Sequence, residues 1–192
     1  MIEVEKKFKP TEEQLKAILE GAVFLGKVIN HDIYYDYPDY RMYKKEIRLR
    51  NRNGNFELKI GDDAVKGVAE EIEGEENIQK YLKLEEQLSE FIEKNLVEII
   101  NYKTSRDKYK KDDFSIDVDS TDFGYDMVEI ELMIDDKSKT KEAEERIVSF
   151  ALSAGLSLSK LPGKTIEYLK RMNPELYKKI FINKEIKGFK LK

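Results

Sequence analysis

Hydrophobic and polar residues alternate along much of this chain, and the alternation predicts a protein rich in β-strands. Side chains two residues apart on a strand share one face, so a period of two marks a strand with one apolar and one polar face. Eight such runs are predicted, at residues 2–9, 23–36, 46–51, 55–60, 68–73, 96–110, 114–121 and 127–134. Short polar turns at residues 52–54 and 111–113 join two pairs of strands as hairpins. The neighbouring strands are therefore predicted to be antiparallel.

Segments with helical periodicity fill the gaps between these strands. They are predicted at residues 11–20, at 77–94 in one or two pieces, at 139–154, and after Gly163 up to an interruption at Asn173-Pro174. Thr11 and Gln14 have the spacing of a capping box. Amphipathic helices must bury their apolar stripes, and the apolar strand faces are the available partners. The predicted class is α+β.

The polar strand faces are dominated by charge rather than by neutral polar residues. Six carboxylates alternate with apolar residues on three strands: Glu3, Glu5, Asp117, Asp119, Glu129 and Glu131. Four cations do the same: Lys7, Arg48, Arg50 and Lys59. Like charges at neighbouring positions of one face repel, so a countercharge or a ligand is expected there. The alternative, an ordinary half-buried sheet whose charged faces meet water, stays open on the pattern alone.

Eight antiparallel strands can close around a small ligand. The predicted fold is therefore a closed eight-stranded antiparallel β-barrel with helices packed on the outside and charged side chains in the lumen. Carboxylates hold hard cations such as Mg²⁺ or Mn²⁺, and arginine forks and lysine ammonium groups bind phosphate oxygens. Phosphoryl transfer is catalysed mainly by positioning and charge stabilisation, which such a lumen would supply.

Composition narrows the class of protein further. The 192 residues predict a single catalytic domain over residues 1–182, followed by a basic tail at 183–192. The absence of cysteine removes thiolate metal sites and disulfides, and the single histidine, His31, excludes a histidine metal cluster. A net charge of −4 argues against nucleic-acid binding. No apolar run is long enough for a membrane span, so a cytoplasmic monomer or homodimer is expected.

Several short motifs follow one another in a specific order along nearly the whole chain. They are Glu3-Val4-Glu5-Lys6-Lys7, Asp32-Ile33-Tyr34-Tyr35-Asp36, Ile47-Arg48-Leu49-Arg50, Glu57-Leu58-Lys59, Thr104-Ser105-Arg106, Asp117-Val118-Asp119 and Glu129-Ile130-Glu131. In this order they resemble the CYTH family, the triphosphate tunnel metalloenzymes, which include class IV adenylyl cyclases, inorganic tripolyphosphatases and thiamine triphosphatases. Residues 117–125, Gly163-Lys164 and residues 168–177 resemble the thiamine triphosphatase branch in particular.

The resemblance implies a role for each matching position. The metal ligands would be Glu3, Glu5, Glu129, Glu131 and Asp117, joined by Asp119 on the same strand face. The triphosphate would be gripped by Lys7, Arg48, Arg50, Lys59, Arg106 and Lys164, and Glu71 matches an acid that orients the arginines. Glu129, Glu131, Arg48 and Arg50 are the predicted catalytic residues, with Glu129 or a metal-bound hydroxide as the base. The metal would be Mg²⁺, with Mn²⁺ as the alternative.

The predicted function is metal-dependent hydrolysis of the terminal phosphoanhydride of thiamine triphosphate or inorganic tripolyphosphate. The alternatives are a class IV adenylyl cyclase and a non-enzymatic polyphosphate-binding module. The resemblance implies a thiamine-stacking tryptophan two residues before the first arginine, whereas this chain has Glu46 there. Tyr37, Tyr40 or Tyr43 are alternative aromatic surfaces, although tyrosines in such number are more typical of structural packing.

Overall fold

Eight strands form the sheet of this fold, which a computed structural model describes for residues 2–61, 68–159 and 161–182. The predicted tail at 183–192 lies outside the described residues. The strands are β1 (Ile2–Phe8), β2 (Val23–Asp36), β3 (Ile47–Arg52), β4 (Asn55–Ile60), β5 (Val68–Glu73), β6 (Val97–Lys111), β7 (Phe114–Thr121) and β8 (Asp126–Ile134). All the predicted strands are confirmed, with ends that differ by about one residue, as expected for pattern-based boundaries.

Short helices connect the strands. They are α1 (Glu12–Leu19), α2 (Arg41–Lys44), α3 (Glu75–Leu82), α4 (Leu88–Asn95), α5 (Thr140–Ser153), α6 (Lys164–Met172) and α7 (Pro174–Tyr177), with a 3₁₀ turn at Lys137–Lys139 and a π-helical turn at Lys178–Ile182. The predicted capping box of α1 is present, because Thr11 and Gln14 satisfy each other's backbone N–H groups. Asn173 caps α7 and Pro174 begins it, so the chain restarts a helix there. Among the described residues, no helix is long and apolar enough to cross a membrane.

The strands pair in an antiparallel manner wherever their register is defined. Their order is β1-β5-β4-β3-β2-β6-β7-β8, and β1 pairs with β8 as well as with β5. The β3–β4 hairpin turns at Asn53 and Gly54, which both have positive φ, as a two-residue turn between twisted strands requires. An eight-stranded antiparallel sheet with accompanying helices confirms the predicted α+β class.

The chain divides into two compact units, each assembled from separate segments. Unit 1 comprises the described residues within Met1–Asn30, Gly61–Glu70 and Lys103–Gly163, and unit 2 those within His31–Ile60, Glu71–Tyr102 and Lys164–Lys192. The long strands β2 and β6 and the short strand β5 contribute residues to both units. The single-domain organisation stays a prediction.

Each unit has its own hydrophobic core. In unit 1 the apolar faces of β1, β7 and β8 pack against α1 and α5, with Val4, Ile116, Ile130 and Ile147 fully buried. In unit 2 β3 and β4 pack against α3 and α4. A fully buried Val, Leu or Ile side chain stabilises a fold by about 1.5–3 kcal/mol relative to exposure. These apolar faces fix the orientation of each strand and so direct its charged face away from the helices.

Helix α2 was not predicted from the sequence. Its four residues are too few to show a helical period, and its preceding residue Tyr40 has a left-handed backbone conformation with φ 59°. The buried carboxylate of Asp36 holds this segment by accepting hydrogen bonds from the backbone N–H groups of Met42 and Tyr43. A tertiary contact, rather than local propensity, therefore forms α2.

Candidate metal and phosphate site

The charged faces of β1, β7 and β8 in unit 1 are buried. Strand register places Glu5 opposite Glu131, and Lys7 and Asp117 on either side of Glu129. Only 6% of Glu5, 2% of Asp117 and 5% of Glu129 is exposed. Charged residues are almost never buried to this extent unless they are paired or bind an ion. This burial excludes the alternative of a charged face in free contact with water.

The buried carboxylates form two groups that could each hold a metal ion. One group is Glu3, Glu5 and Glu131, and the other is Asp117, Glu129 and Glu131. Within each group the ligand oxygens lie within 4.8 Å of one another, and Glu131 belongs to both. Oxygen ligands at such spacing suit Mg²⁺, Mn²⁺ or Ca²⁺. The structure thus brings together five of the six predicted metal ligands.

One carboxylate oxygen in the second group lacks a protein partner. Oδ1 of Asp117 is buried and accepts no hydrogen bond from any of the described residues. A buried carboxylate oxygen without a donor is energetically costly, and coordination of a cation removes that cost. The donor set and this oxygen fit a hard divalent ion.

The protonation of the two groups reflects their crowding. Burial raises the pKa of Glu131 well above its usual range, and the nearby charges of Glu3, Asp117 and Glu129 raise it further. Burial also raises the pKa of Asp117, although the positive charge of Arg106 acts in the opposite direction. Carboxylates that repel one another in this way bind protons or metal ions more readily than isolated ones.

Two basic side chains of unit 1 contact these carboxylates. Arg106 donates to both oxygens of Asp119, from Nε and Nη2, each at 2.7 Å. The same guanidinium forms short ion pairs with Asp117 and Glu129. Lys7 forms a short ion pair with Glu5. Asp119 belongs to neither metal group within the described residues, so its predicted role as a metal ligand stays a prediction.

Three of the four predicted cations of unit 2 lie on β3 and β4. Arg48 and Arg50 are only 6% and 9% exposed, and Lys59 lies directly opposite Arg48 in the strand register. Arg50 donates from Nε to Glu57 at 2.7 Å, and Glu71 lies 3.4 Å from Arg50 Nη2 and 3.3 Å from Lys59 Nζ. This position of Glu71 agrees with the role that the resemblance implies, which is to orient the arginines.

A second network surrounds Asp32, which is fully buried. Arg52 donates to both of its oxygens, at 2.7 and 2.9 Å, and Arg50 Nε lies 4.0 Å away. Burial alone would raise the pKa of Asp32, but the hydrogen bonds from Arg52 and the charges of Arg50, Arg52 and Lys164 lower it. Lys164, the predicted cation at the start of α6, is therefore close enough to act on this network.

Sequence reasoning assigned no site role to three residues of the charged networks in unit 2. They are Glu57, Asp32 and Arg52. Glu57 shares a strand face with Lys59, so the same alternation argument could have identified it. Asp32 could not be paired with Arg52 before the β2–β3 register was known.

Two of the three tyrosines considered as aromatic surfaces have structural contacts. Tyr37 packs edge-on against Phe91 and lies beneath the Arg41 guanidinium. Tyr43 is buried, packs on Phe181 and donates its hydroxyl to Thr165 at 2.7 Å. Glu46, at the position where the resemblance implies tryptophan, is exposed with φ 62°. The packing interpretation of Tyr37 and Tyr43 is thus favoured.

In total, the predicted site residues fall into one set in each unit. Unit 1 contains Glu3, Glu5, Lys7, Arg106, Asp117, Asp119, Glu129 and Glu131, and unit 2 contains Arg48, Arg50, Lys59, Glu71 and Lys164. The first set contains the two carboxylate groups that could hold a metal ion. In the second set Glu71 contacts Arg50 and Lys59.

Comparison with known proteins shows the family of this chain. The CYTH domain matches residues 1–162, which is most of the chain. This range contains the seven motifs that carry the resemblance. The protein belongs to the CYTH family. Human thiamine-triphosphatase is 28% identical over 207 aligned positions, which cover 94% of this chain and 89% of the human protein.

Solved structures show the same CYTH fold. The PH1819 protein from Pyrococcus horikoshii OT3 aligns with 81% of this chain and 91% of its own, with 25% identity and a TM-score of 0.59. The HpAC1 protein from Hippeastrum, described as having a dominant triphosphatase activity, aligns with 88% of this chain and 94% of its own. Its identity is 15% and its TM-score 0.56, so this likeness shows the fold alone.

Proposed function

We propose that this CYTH protein is a Mg²⁺- or Mn²⁺-dependent triphosphatase that hydrolyses the terminal phosphoanhydride of a small triphosphate. The observation that carries the proposal is the pair of buried carboxylate groups that share Glu131. Carboxylates bind no phosphate by themselves, so a protein that only bound polyphosphate would not need them. Membership of the CYTH family and the likeness to human thiamine-triphosphatase support the same activity.

The metal-binding residues of the proposal are Glu3, Glu5, Asp117, Glu129 and Glu131. A divalent ion there would supply charge neutralisation of phosphate oxygens and a lowered pKa for a bound water. The chain's own carboxylates orient their oxygens through strand register, with Asp117 and Glu129 directly opposite each other. Glu129 or a metal-bound hydroxide would accept the proton from the attacking water. Because the chain has no cysteine, no thiolate nucleophile competes with water.

The phosphate-binding residues of the proposal are Lys7, Arg48, Arg50, Lys59, Arg106 and Lys164. Arginine forks in a buried setting stabilise the charge that develops on the transferred phosphoryl group. Glu57 and Glu71 hold the Arg50 guanidinium in one orientation, which lowers the entropy lost when an anion binds. We further propose that the eight strands close as a barrel around the substrate, which the pairing of β1 with both β5 and β8 supports.

The proposed substrates are thiamine triphosphate and inorganic tripolyphosphate. Phosphate release from tripolyphosphate, thiamine triphosphate and ATP at matched concentration, with Mg²⁺ or Mn²⁺, tests the activity. We expect release that a chelator abolishes and that favours one of the first two substrates. Cyclic AMP from ATP would instead indicate a cyclase, and no turnover of any substrate would contradict the hydrolase.

A matched pair of variants ties the activity to the site. Glu129→Gln removes one buried metal-binding carboxylate and is expected to lower kcat by at least about 100-fold. Glu145→Gln makes the same chemical change on the exposed face of α5 and should leave kcat unchanged. Equal activity of the two variants would contradict the assignment of the site.

A further inference from the structure

Arg106 binds the same carboxylates that would hold a divalent ion. Its guanidinium pairs with Asp117 through Nη1 and with Glu129 through Nη2, and both carboxylates belong to one metal group. The Arg106 side chain is 12% exposed, so water screens these pairs little. A cation built into the protein therefore already neutralises part of this group.

Asp119 stands apart from the two shared carboxylates. Both of its oxygens accept from Arg106 in a bidentate pair, and neither metal group of the described residues includes it. The β6–β7 register places Arg106 directly opposite Asp119, so this pair is fixed by the backbone. Arg106 can thus lose Asp117 and Glu129 and still be held by Asp119.

A divalent ion and the guanidinium repel each other when both approach Asp117 and Glu129. The ion carries twice the charge of the guanidinium and prefers hard oxygen ligands, and Asp117 also offers an oxygen that accepts no hydrogen bond among the described residues. The guanidinium keeps its bidentate pair with Asp119 when it leaves these two carboxylates.

We propose that Arg106 competes with the divalent ion for Asp117 and Glu129, and that Asp119 retains Arg106 when the ion binds. Metal binding then frees two N–H directions of the guanidinium for an anionic ligand. Metal and anion binding are coupled through one side chain, and the coupling is reciprocal. The anion part of this proposal rests on the proposed function, whereas the competition for the carboxylates does not.

Titration with Mn²⁺ alone, followed by calorimetry or by the electron paramagnetic resonance of free Mn²⁺, tests the competition. Arg106→Gln should bind Mn²⁺ at least about tenfold more tightly than the wild type, because the competing cation is gone. Lys108→Gln is the matched control, since Lys108 lies opposite Asp117 in the register but is exposed. Its effect should stay within about threefold.

Unchanged or weaker Mn²⁺ binding by Arg106→Gln would overturn the proposal. So would an equal gain in Lys108→Gln, which would reduce the effect to net charge, or a wild type that binds no Mn²⁺. If Arg106→Gln does not fold, Arg106→Lys replaces it, because lysine keeps the charge and loses the fork. Arg106→Lys should bind Mn²⁺ more tightly by a smaller factor, and equal affinity would then overturn the competition.

The role of Asp119 has a separate test. Asp119→Asn should leave the Kd for Mn²⁺ within about threefold of the wild type, whereas Asp117→Asn should weaken it by at least about tenfold. With Mn²⁺ saturating, Asp119→Asn should raise KM for tripolyphosphate more than it lowers kcat. Loss of Mn²⁺ binding would make Asp119 a ligand and overturn its anchoring role, as would an unchanged KM. Absence of hydrolysis in the wild type would contradict the proposed function, but it would not affect the conclusions drawn from the Mn²⁺ titrations.

Discussion

Asp32 shows how much of the stability of this protein depends on single buried charges. Its carboxylate is fully buried and its pKa is lowered by Arg52 and Arg50 against the effect of burial. Removal of one partner of a buried ion pair destabilises the fold, because the remaining charge is desolvated and has no countercharge.

Replacing Asp32 by asparagine should therefore leave the partly buried Arg52 without its countercharge. We expect Asp32→Asn to lower the free energy of unfolding by about 3–5 kcal/mol at neutral pH. Because the pKa of Asp32 is lower in the folded than in the unfolded protein, its contribution is present above the usual value of 3.8 and is lost as the pH falls below it. Urea unfolding of wild type and variant across this range measures the difference.

The control for Asp32 is Asp135→Asn, which removes an equivalent charge from an exposed pair with Lys139. Exposed pairs contribute about 0–1 kcal/mol. Equal destabilisation by the two variants would show that burial of Asp32 is not the source of its effect. The same result would remove the reason to regard Asp32 as a support for the arginines of unit 2.

For single residues, the sequence predicts which side chains lie on the charged strand faces better than it predicts which of them pair with each other. Strand alternation placed Glu5, Glu129 and Glu131 on charged faces before any register was known. It could not distinguish Asp117 from Asp119, because both lie on the same face of β7. Only the β6–β7 register, which sets Arg106 opposite Asp119, separates the metal-group member from the arginine partner.

Among the elements, the strands were predictable and α2 was not. Strands β1, β3, β4, β7 and β8 combine a period-two pattern with an apolar face that packs in a core, so local and global preferences agree there. Helix α2 has four residues and depends on Asp36, which also accepts from the backbone N–H of Tyr37 at 2.7 Å. Its formation rests on a contact that becomes visible only after β2 is in place.

Asp36→Ala should therefore loosen α2 rather than a strand. Three backbone N–H groups would lose their acceptor in a buried site, at a cost of about 1–3 kcal/mol for each group that water cannot reach. Tyr43, which lies in α2 and donates to Thr165 beside Lys164, should shift with it. We expect a lower Tm and a higher KM for the triphosphate.

Asp39→Ala, in the same connection, is the matched control for Asp36→Ala. Asp39 forms an exposed ion pair with Arg41, and among the described residues its side chain caps no backbone group of α2. Its Tm and KM should remain those of the wild type. A similar fall of Tm in both variants would mean that the connection tolerates neither change, and that the cap formed by Asp36 has no special role.

The molecule as a whole contains two apolar cores and many buried charged side chains. The core of unit 1 fixes the orientation of β1, β7 and β8, whose carboxylates lie within 4.8 Å of one another in each metal group. Sites of this kind are expected to reduce the stability of the protein in exchange for function. The cost should be measurable, and a bound metal should offset it.

Glu131, which belongs to both metal groups, is the residue at which to measure this cost. Its pKa is raised above the usual 4.5 by burial and by Glu3 and Asp117, so above that pH the folded protein binds more protons than the unfolded chain. Stability contributed at this position therefore falls as the pH rises through the window between the usual and the raised pKa. In the presence of a chelator, Glu131→Gln should exceed the wild type in Tm, and by a margin that grows over that window.

Addition of Mn²⁺ should reverse the order of the two proteins. Ligand at 100 times its Kd stabilises a folded protein by about 2.7 kcal/mol, and only the wild type retains the shared carboxylate. Glu145→Gln, which changes an exposed glutamate of α5, should follow the wild type in both conditions. If Glu131→Gln gained as much Tm from Mn²⁺ as the wild type, the two carboxylate groups would not be the metal site. If the Tm of Glu131→Gln in chelator were no higher than that of the wild type at any pH, the crowded carboxylates would not destabilise the fold. Groups other than a metal ion would then stabilise these charges.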